Sequence, residues 1–123
     1  MTVWVVEFNF VNRELLRLAF EGAGHDVTAV EDGASASRLA GGARPPELLV
    51  IDVSLPDTDG ASLLSTLRSD PRFNATRAVA ITAFSYRADR DRLLATGFDQ
   101  VITKPINTRT LLSDIGAEER ARR

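Results

Sequence analysis

Short, uninterrupted apolar runs alternate with helical patterns along almost the whole of this 123-residue chain. Strands whose residues are nearly all apolar are buried on both faces, so the sheet that they form should be parallel and covered by helices. The alternation therefore predicts an α/β fold, in which five βα units form a doubly wound, parallel five-stranded sheet. The predicted strands are 3–6, 25–30, 48–51, 78–81 and 98–102.

Each predicted strand is followed by a helical pattern, and residues that can cap a helix precede several of these patterns. Asn9 or Asn12 is the expected cap of the first helix, Asp59 of the third and Asn107 of the fifth. The fourth pattern is rich in charge, and its two leucines at 93–94 are predicted to face the core.

Composition argues against several classes of function. The net charge of -2 provides no basic face for nucleic acid and no general attraction to a membrane. The chain has no cysteine, which excludes disulfides and thiolate chemistry, and its single histidine, His25, is interpreted as a surface residue. We find no apolar stretch long enough to span a bilayer and no signal-peptide pattern, so we expect a cytoplasmic protein.

A single lysine, Lys104, stands among fourteen arginines. Lysine provides a compact ammonium on a flexible stem, which the wide guanidinium of arginine does not. Lys104 ends the fifth apolar run, just as Asp52 ends the third and Thr82 ends the fourth, and Glu7 follows the first. Because ligands bind at the carboxyl ends of the strands in parallel sheets, these four residues form a candidate site.

Four segments, in this order, resemble the receiver domains of two-component response regulators, most of all DivK-type single-domain receivers and the receivers of hybrid kinases. They are 5–9, 51–60, 81–84 and 104–106, and the resemblance extends from Thr2 to about Ile115. It implies the flavodoxin-like receiver fold over residues 1–116, with a charged tail at 117–123 that frays and no room for an output domain. It also implies a bacterial phosphorelay protein rather than an enzyme, active at most in its own phosphorylation and dephosphorylation.

The resemblance also implies a role for each residue of the candidate site. Asp52 accepts a phosphoryl group from a histidine kinase or a histidine phosphotransferase, and Thr82 and Lys104 contact the phosphoryl oxygens. A Mg2+ ion is bound by Asp52, by an acid after the first strand and by the backbone carbonyl of Ser54, a set of oxygen ligands that suits this ion. The peptide bond before Pro105 is expected to be cis.

The acidic pair after the first strand departs from the family and reads Glu7-Phe8. Phe8 stands where the resemblance places the direct Mg2+ ligand, and a phenyl ring cannot coordinate a hard cation. Glu7 is the acid that remains for the implied ligand set with Asp52 and Ser54, but adjacent strand residues point to opposite faces, so Glu7 does not simply take over the place of its neighbour. We therefore expect Mg2+ binding to be weak or absent. Without a cation, the crowding of Glu7 and Asp52 with Asp57 and Asp59 should raise carboxylate pKa values.

The residue that switches conformation in many receivers also differs here. The resemblance places an aromatic residue three positions before the lysine, and this chain has Val101, which is small and has one dominant rotamer. Phe84, two residues after Thr82, is a candidate substitute. Phe8, Phe10 and Phe84 either form an aromatic lid over the site or pack in the core, and we favour the core.

Three functions remain open from the sequence. The first is a relay protein that binds a downstream partner through helix 4, strand 5 and helix 5 when it is phosphorylated. The second is a degenerate receiver that uses the same face without phosphorylation. The third, a flavodoxin-like cofactor binder, lacks the expected phosphate loop. For the kinase or phosphotransferase, Val11, Leu15 and Ile106 offer an apolar docking surface, although the three residues also suit the core.

Overall fold

All five predicted strands are present in the computed structural model, which describes residues 1–84 and 86–116. They are β1 (Thr2–Val6), β2 (Asp26–Val30), β3 (Leu48–Asp52), β4 (Arg77–Thr82) and β5 (Gln100–Thr103). Every neighbouring pair is parallel, and the strand order is β2-β1-β3-β4-β5. The α/β prediction is confirmed. The predicted tail at 117–123 lies outside the described residues.

Helices follow the strands in regular alternation. They are α1 (Phe10–Gly22), α2 (Gly33–Gly42), α3 (Gly60–Arg68), α4 (Arg87–Thr96) and α5 (Leu111–Asp114), with a 3-10 helix at Pro71–Phe73. Asn9 and Asp59 cap α1 and α3 as predicted. The prediction for Asn107 is wrong, because α5 begins only at Leu111 and the Asn107 side chain accepts a hydrogen bond from the Arg109 amide instead. A side chain that forms a hydrogen bond with the backbone amide two residues further along the chain stabilises a turn.

The core lies in two layers, one on each face of the sheet, because alternate strand residues point to opposite sides. Val3, Val5 and Val50 pack with Leu16 and Phe20 of α1 and with Leu111 of α5. On the other face, Trp4, Val6, Leu49 and Ile51 pack with the three buried leucines of α3 and with Phe73. This arrangement confirms the doubly wound sheet. Within the described residues, none of the helices has the length and apolar character needed to cross a membrane.

The predicted burial of Leu94 and the predicted exposure of His25 are wrong. Leu93 packs against the core, but Leu94 is exposed, because the strongly charged α4 has no fully buried residue. His25 is buried rather than on the surface. Its backbone amide donates to the Phe20 carbonyl, and the ring centroids of the two residues are 6.2 Å apart, so the turn after α1 folds the imidazole beneath that helix.

Gly60, the first residue of α3, lies against the end of β3. A Cβ at this position would stand 2.8 Å from the Val53 Cα and 2.9 Å from the Asp52 carbonyl oxygen, both of which are backbone atoms. We therefore expect Gly60→Ala to lower the free energy of unfolding by about 1–2 kcal/mol in urea titrations. Gly41→Ala is the matched control, since its Cβ would meet nothing within 4 Å and the change should stabilise α2 by about 0.5 kcal/mol. A Gly60→Ala variant as stable as Gly41→Ala would contradict this packing.

Candidate functional site

The four predicted residues meet at the carboxyl edge of the sheet. Asp52 and Thr82 end β3 and β4, while Glu7 and Lys104 directly follow β1 and β5. The Glu7 amide donates to the Val30 carbonyl of β2, and the Lys104 amide donates to the Thr82 carbonyl at 2.7 Å. Glu7, Asp52 and Thr82 are buried, with exposed fractions of 1%, 4% and 1%. Strand pairing thus carries four polar side chains to one edge of the core.

Lys104 pairs with both carboxylates of the site. Its Nζ lies 2.7 Å from Asp52 Oδ2 and 3.3 Å from Glu7 Oε1. The other Asp52 oxygen, Oδ1, accepts a hydrogen bond from the Ser54 amide at 2.8 Å. Both Asp52 oxygens therefore have partners that orient the carboxylate. The Lys104-Pro105 peptide bond is cis, as predicted.

Glu7 carries the largest electrostatic perturbation at this edge. Its Oε2 accepts from the Asn9 amide, whereas its buried Oε1 lies near the Lys104 ammonium without a hydrogen-bond partner. Burial, together with the neighbouring Asp52 carboxyl, raises the pKa of Glu7 from 4.5 to about 7. For Lys104, burial opposes the charged form, but the two carboxylates outweigh burial and raise its pKa. The effect expected from crowded acids contributes at Glu7, where it adds to burial, but it is not found at Asp59, whose pKa is lowered by the hydrogen bonds from Ser62.

The three phenylalanines near the site are on the surface. The exposed fractions are 54% for Phe8, 66% for Phe10 and 58% for Phe84, so the prediction that they pack in the core is wrong. The physical reason is their position, since Phe8 and Phe84 lie in the loops that leave β1 and β4, beyond both core layers, and Phe10 begins α1. The Phe10 ring contacts the Arg13 guanidinium, whose carbon is 5.6 Å from the ring centroid.

At this edge Phe8 stands at the position where the resemblance places the direct acidic Mg2+ ligand. Among residues 1–84 and 86–116, no group of three or more His, Cys, Asp or Glu side chains is placed to hold a metal ion. The exposed Phe8 ring offers no ligand atom. Glu7 and Asp52 are both carboxylates, and both contact the same ammonium. Lys104 therefore supplies the positive charge that the structure places at the site.

Comparison with known proteins identifies the family. Residues 3–116 match the model of the response regulator receiver domain. The chain belongs to this family. The receiver is 30% identical to the polar-differentiation response regulator DivK of Brucella anthropi, over 93% of this chain and 92% of that protein. Its homologues are bacterial signalling proteins of two-component systems, and receiver domains act by signalling rather than as ordinary enzymes.

Solved structures agree with this assignment. The receiver superimposes on that of a sensor histidine kinase from Pseudomonas aeruginosa with a TM-score of 0.81 and 28% identity, over 93% of both chains. That structure has a magnesium ion coordinated in its active-site cleft. The chemotaxis regulator CheY4 of Vibrio cholerae gives a TM-score of 0.87 at 23% identity, over 94% of this chain and 95% of that chain, which supports the fold alone.

The predicted switch residues of the receiver occupy different surroundings. Thr82 Oγ1 accepts a hydrogen bond from the Phe84 amide at 3.1 Å. A cavity of about 160 Å³ lies beside them, lined by Val53 and Leu93 among others. Val101 is buried in the core. Phe84 is thus next to both Thr82 and an open space, and its role as a switch residue stays a prediction.

Two residues near the site escaped the sequence reasoning. Arg13 donates from Nη1 to the carbonyls of Glu7 and Phe8, at 2.9 and 3.0 Å, and so holds the loop after β1. The sequence places Asp57 among the acids that crowd the site but does not indicate its contact with α2, where its carboxylate accepts from the amides of Gly33 and Ala34. No local pattern in the sequence signals either contact, because both depend on where neighbouring elements pack.

Proposed function

We propose that this receiver accepts a phosphoryl group on Asp52 from a histidine of a kinase or phosphotransferase, and that phosphorylation changes its binding to a downstream protein. The observation that carries this proposal is the pairing of Asp52 with Lys104 at 2.7 Å, beside Thr82, at the carboxyl edge of the sheet. A buried carboxylate with a fixed ammonium at this edge is suited to attack an anion, because the ammonium offsets the repulsion between them.

The proposed reaction uses atoms that the site already orients. An Asp52 carboxylate oxygen attacks phosphorus, the bond from phosphorus to the histidine nitrogen breaks, and the electron pair stays on the imidazole. Lys104 donates to one phosphoryl oxygen as the charge shifts. The Thr82 oxygen accepts from the Phe84 amide, which leaves the hydroxyl proton for a second phosphoryl oxygen. The Ser54 amide holds the Asp52 side chain in orientation meanwhile.

Intact-mass analysis after incubation with acetyl phosphate tests this function. The protein should gain one phosphoryl group, and the matched variant Asp52→Asn should gain none, because an amide is not a nucleophile of this kind. Parallel reactions with Mg2+ and with EDTA measure how far Lys104 alone supports the reaction. If folded wild-type protein gains no phosphoryl group under either condition, the phosphoacceptor proposal is wrong.

A second candidate function is supported by the Phe8 side chain. Its exposed ring stands where the resemblance expects a metal-ligating acid, and this feature favours a receiver that binds its partner without phosphorylation. The two functions differ in what Asp52→Asn does to the affinity for a downstream partner. The phosphoacceptor predicts that phosphodonor treatment changes the affinity of the wild type only. The alternative predicts equal affinity for both proteins under all conditions.

An apolar stripe on α1 supports a docking site for the kinase or phosphotransferase. We define the α1 stripe as Val11, Leu15 and Leu18, which lie four and three residues apart on α1 and are all exposed. This spacing places the side chains on one face of the helix, where the apolar face of a partner helix would pack. The exposed Phe8, in the loop before α1, lies between this stripe and Glu7 along the chain, so a partner bound to the stripe would be close to the site. Ile106 is partly buried in the core and therefore adds less exposed apolar surface to this docking site.

Replacing Leu15 by Glu is expected to slow phosphotransfer from the cognate kinase or phosphotransferase about fivefold, because a charge would be buried in the interface. The reaction with acetyl phosphate should not change, since Leu15 does not contact the site. Leu94→Glu is the matched control, because the exposed fractions of the two leucines are 39% and 43% and Leu94 lies on α4. Equal slowing by both variants would argue against docking on the α1 stripe.

The face formed by α4, β5 and α5 is the proposed site for the downstream partner. Leu94 is exposed on α4, and Tyr86, which precedes this helix, is also exposed. Phe84 connects this face to Thr82 through its backbone amide. A conformational change at Thr82 would therefore be passed through Phe84 to the start of α4, which lies only a few residues further along the chain.

A further inference from the structure

Asp57 bonds the loop that follows the phosphoacceptor strand to a different element of the fold. We call residues 53–59 the phosphoacceptor loop. The Asp57 carboxylate accepts from the Gly33 amide through Oδ1, at 3.0 Å, and from the Ala34 amide through Oδ2, at 2.9 Å. These amides belong to the first turn of α2, where backbone N–H groups lack partners within the helix and favour a negative charge.

Two side chains of the phosphoacceptor loop also approach the first residue of α2 closely. A Cβ on Gly33 would stand 2.6 Å from Thr58 Cγ2 and 3.3 Å from Asp57 Oδ1, so a larger residue at position 33 would have to displace these two side chains. The paired hydrogen bonds and the close packing of Thr58 on Gly33 describe the same contact between the loop and α2. The contact is made by the tip of the phosphoacceptor loop, which is distant from α2 along the chain.

Other contacts of the phosphoacceptor loop hold its first residues, since the Val53 amide donates to the Ile81 carbonyl of β4 and Leu55 packs against the core, or close the loop upon itself. Ser54 and Asp59 form an antiparallel bridge, and the Gly60 amide donates to the Val53 carbonyl at 2.9 Å. These bonds define the shape of the loop but do not fix its tip against the rest of the molecule. The same loop carries the Ser54 amide, which donates to Asp52 Oδ1. A shift of the loop would therefore move the donor that orients the phosphoacceptor.

We propose that Asp57 is a positioning residue, which holds the phosphoacceptor loop against α2 and so fixes the Ser54 amide that orients Asp52. Its effect on phosphorylation rests on the proposed function, whereas its effect on the loop does not. Asp57 touches no reacting atom. It acts through Ser54, and its loss should be felt at Asp52 because a displacement of a catalytic group by about 1 Å is enough to slow a reaction strongly.

The test compares Asp57→Ala with Asp32→Ala. Asp32 caps the same helix by accepting from the Ser35 amide at 2.8 Å, but it makes no contact of this kind with the phosphoacceptor loop. Both variants lose a carboxylate at the N-terminus of α2 and should lose similar thermal stability. Two readouts distinguish them: hydrogen exchange of the Ser54 amide, followed by NMR, and the initial rate of phosphorylation by acetyl phosphate.

Asp57→Ala should speed exchange of the Ser54 amide and slow phosphorylation about fivefold or more, while Asp32→Ala should leave both unchanged. If both variants lose stability equally and neither changes Ser54 exchange, Asp57 is only a helix cap and the proposal is wrong. Should Asp57→Ala fail to fold, Asp57→Asn, which keeps one acceptor oxygen, gives the same comparison with a smaller expected change. If the wild type is not phosphorylated, the proposed function fails, and Ser54 exchange still decides the role of Asp57.

Discussion

Replacing Phe8 by Asp is expected to raise the affinity of this receiver for Mg2+ about 10- to 100-fold, since affinity for hard cations follows the number of charged oxygen ligands. Phe8 is more than half exposed and adjacent to Glu7, so a carboxylate there loses little hydration. It would add a third acid to an edge where Glu7 and Asp52 share Lys104. Calorimetric titration with MgCl2 measures the affinity, and phosphorylation by acetyl phosphate should become more dependent on Mg2+.

The matched control is Phe10→Asp. Phe10 is also exposed and lies two residues further on, at the first position of α1, so the variant adds the same charge to the same region. An acid in the first turn of a helix is tolerated well. Equal gains in Mg2+ affinity for both variants would mean that general attraction, not coordination, is responsible. No gain for Phe8→Asp would mean that position 8 does not face the site.

The sheet and the candidate site were predictable because both depend on local patterns. Continuous apolar runs identify buried parallel strands, and the polar residue that ends each run then falls at the carboxyl edge by geometry alone. Asp52, Thr82 and Lys104 were found in this way, and the structure brings them together with Glu7. The observed strand ends differ from the predicted ends by one or two residues, and the same side chains reach the carboxyl edge.

Burial was predicted less well, because an apolar side chain shows only that burial is favourable and not that space exists for it. Phe8 and Phe84 lie in loops at the edge of the sheet, where neither core layer reaches. Leu94 lies on a helix with no fully buried residue. The prediction for His25 was wrong in the opposite sense, since this polar residue was expected on the surface and is buried. The turn after α1 places its ring beneath the helix.

Contacts between distant segments were beyond the sequence patterns altogether. The bonds from Asp57 to α2 connect residues 23 and 24 positions apart. A carboxylate in a loop and a helix N-terminus are each common, and only the packing of the two elements brings them into contact. The position of Arg13 over the loop after β1 has the same origin. Such contacts require the assembled fold before they can be recognised.

The stability of this receiver should depend on the protonation of Glu7. Burial and the neighbouring Asp52 raise the pKa of Glu7 to about 7 in the folded protein, from an ordinary value of 4.5. Between these two values the folded state keeps a proton that the unfolded state has lost. By linkage, this group's contribution to the free energy of unfolding is complete below pH 4.5 and is lost as the pH rises toward about 7. Lys104, whose pKa is raised, stays charged throughout that range.

Glu7→Gln removes this dependence, because glutamine is neutral at every pH and close to the protonated acid in shape. Urea titration at pH 5 and at pH 8 measures the free energy of unfolding of both proteins. Relative to the wild type, the Glu7→Gln variant should be more stable at pH 8 than at pH 5 by about 2 kcal/mol. Glu14→Gln is a control for which the opposite pH dependence of stability is expected. Arg17 holds the pKa of the half-buried Glu14 carboxyl below its usual value, so stability gained from Glu14 appears as the pH rises. A pH-independent difference for Glu7→Gln would show that the buried Glu7 is already charged beside Lys104 at pH 5.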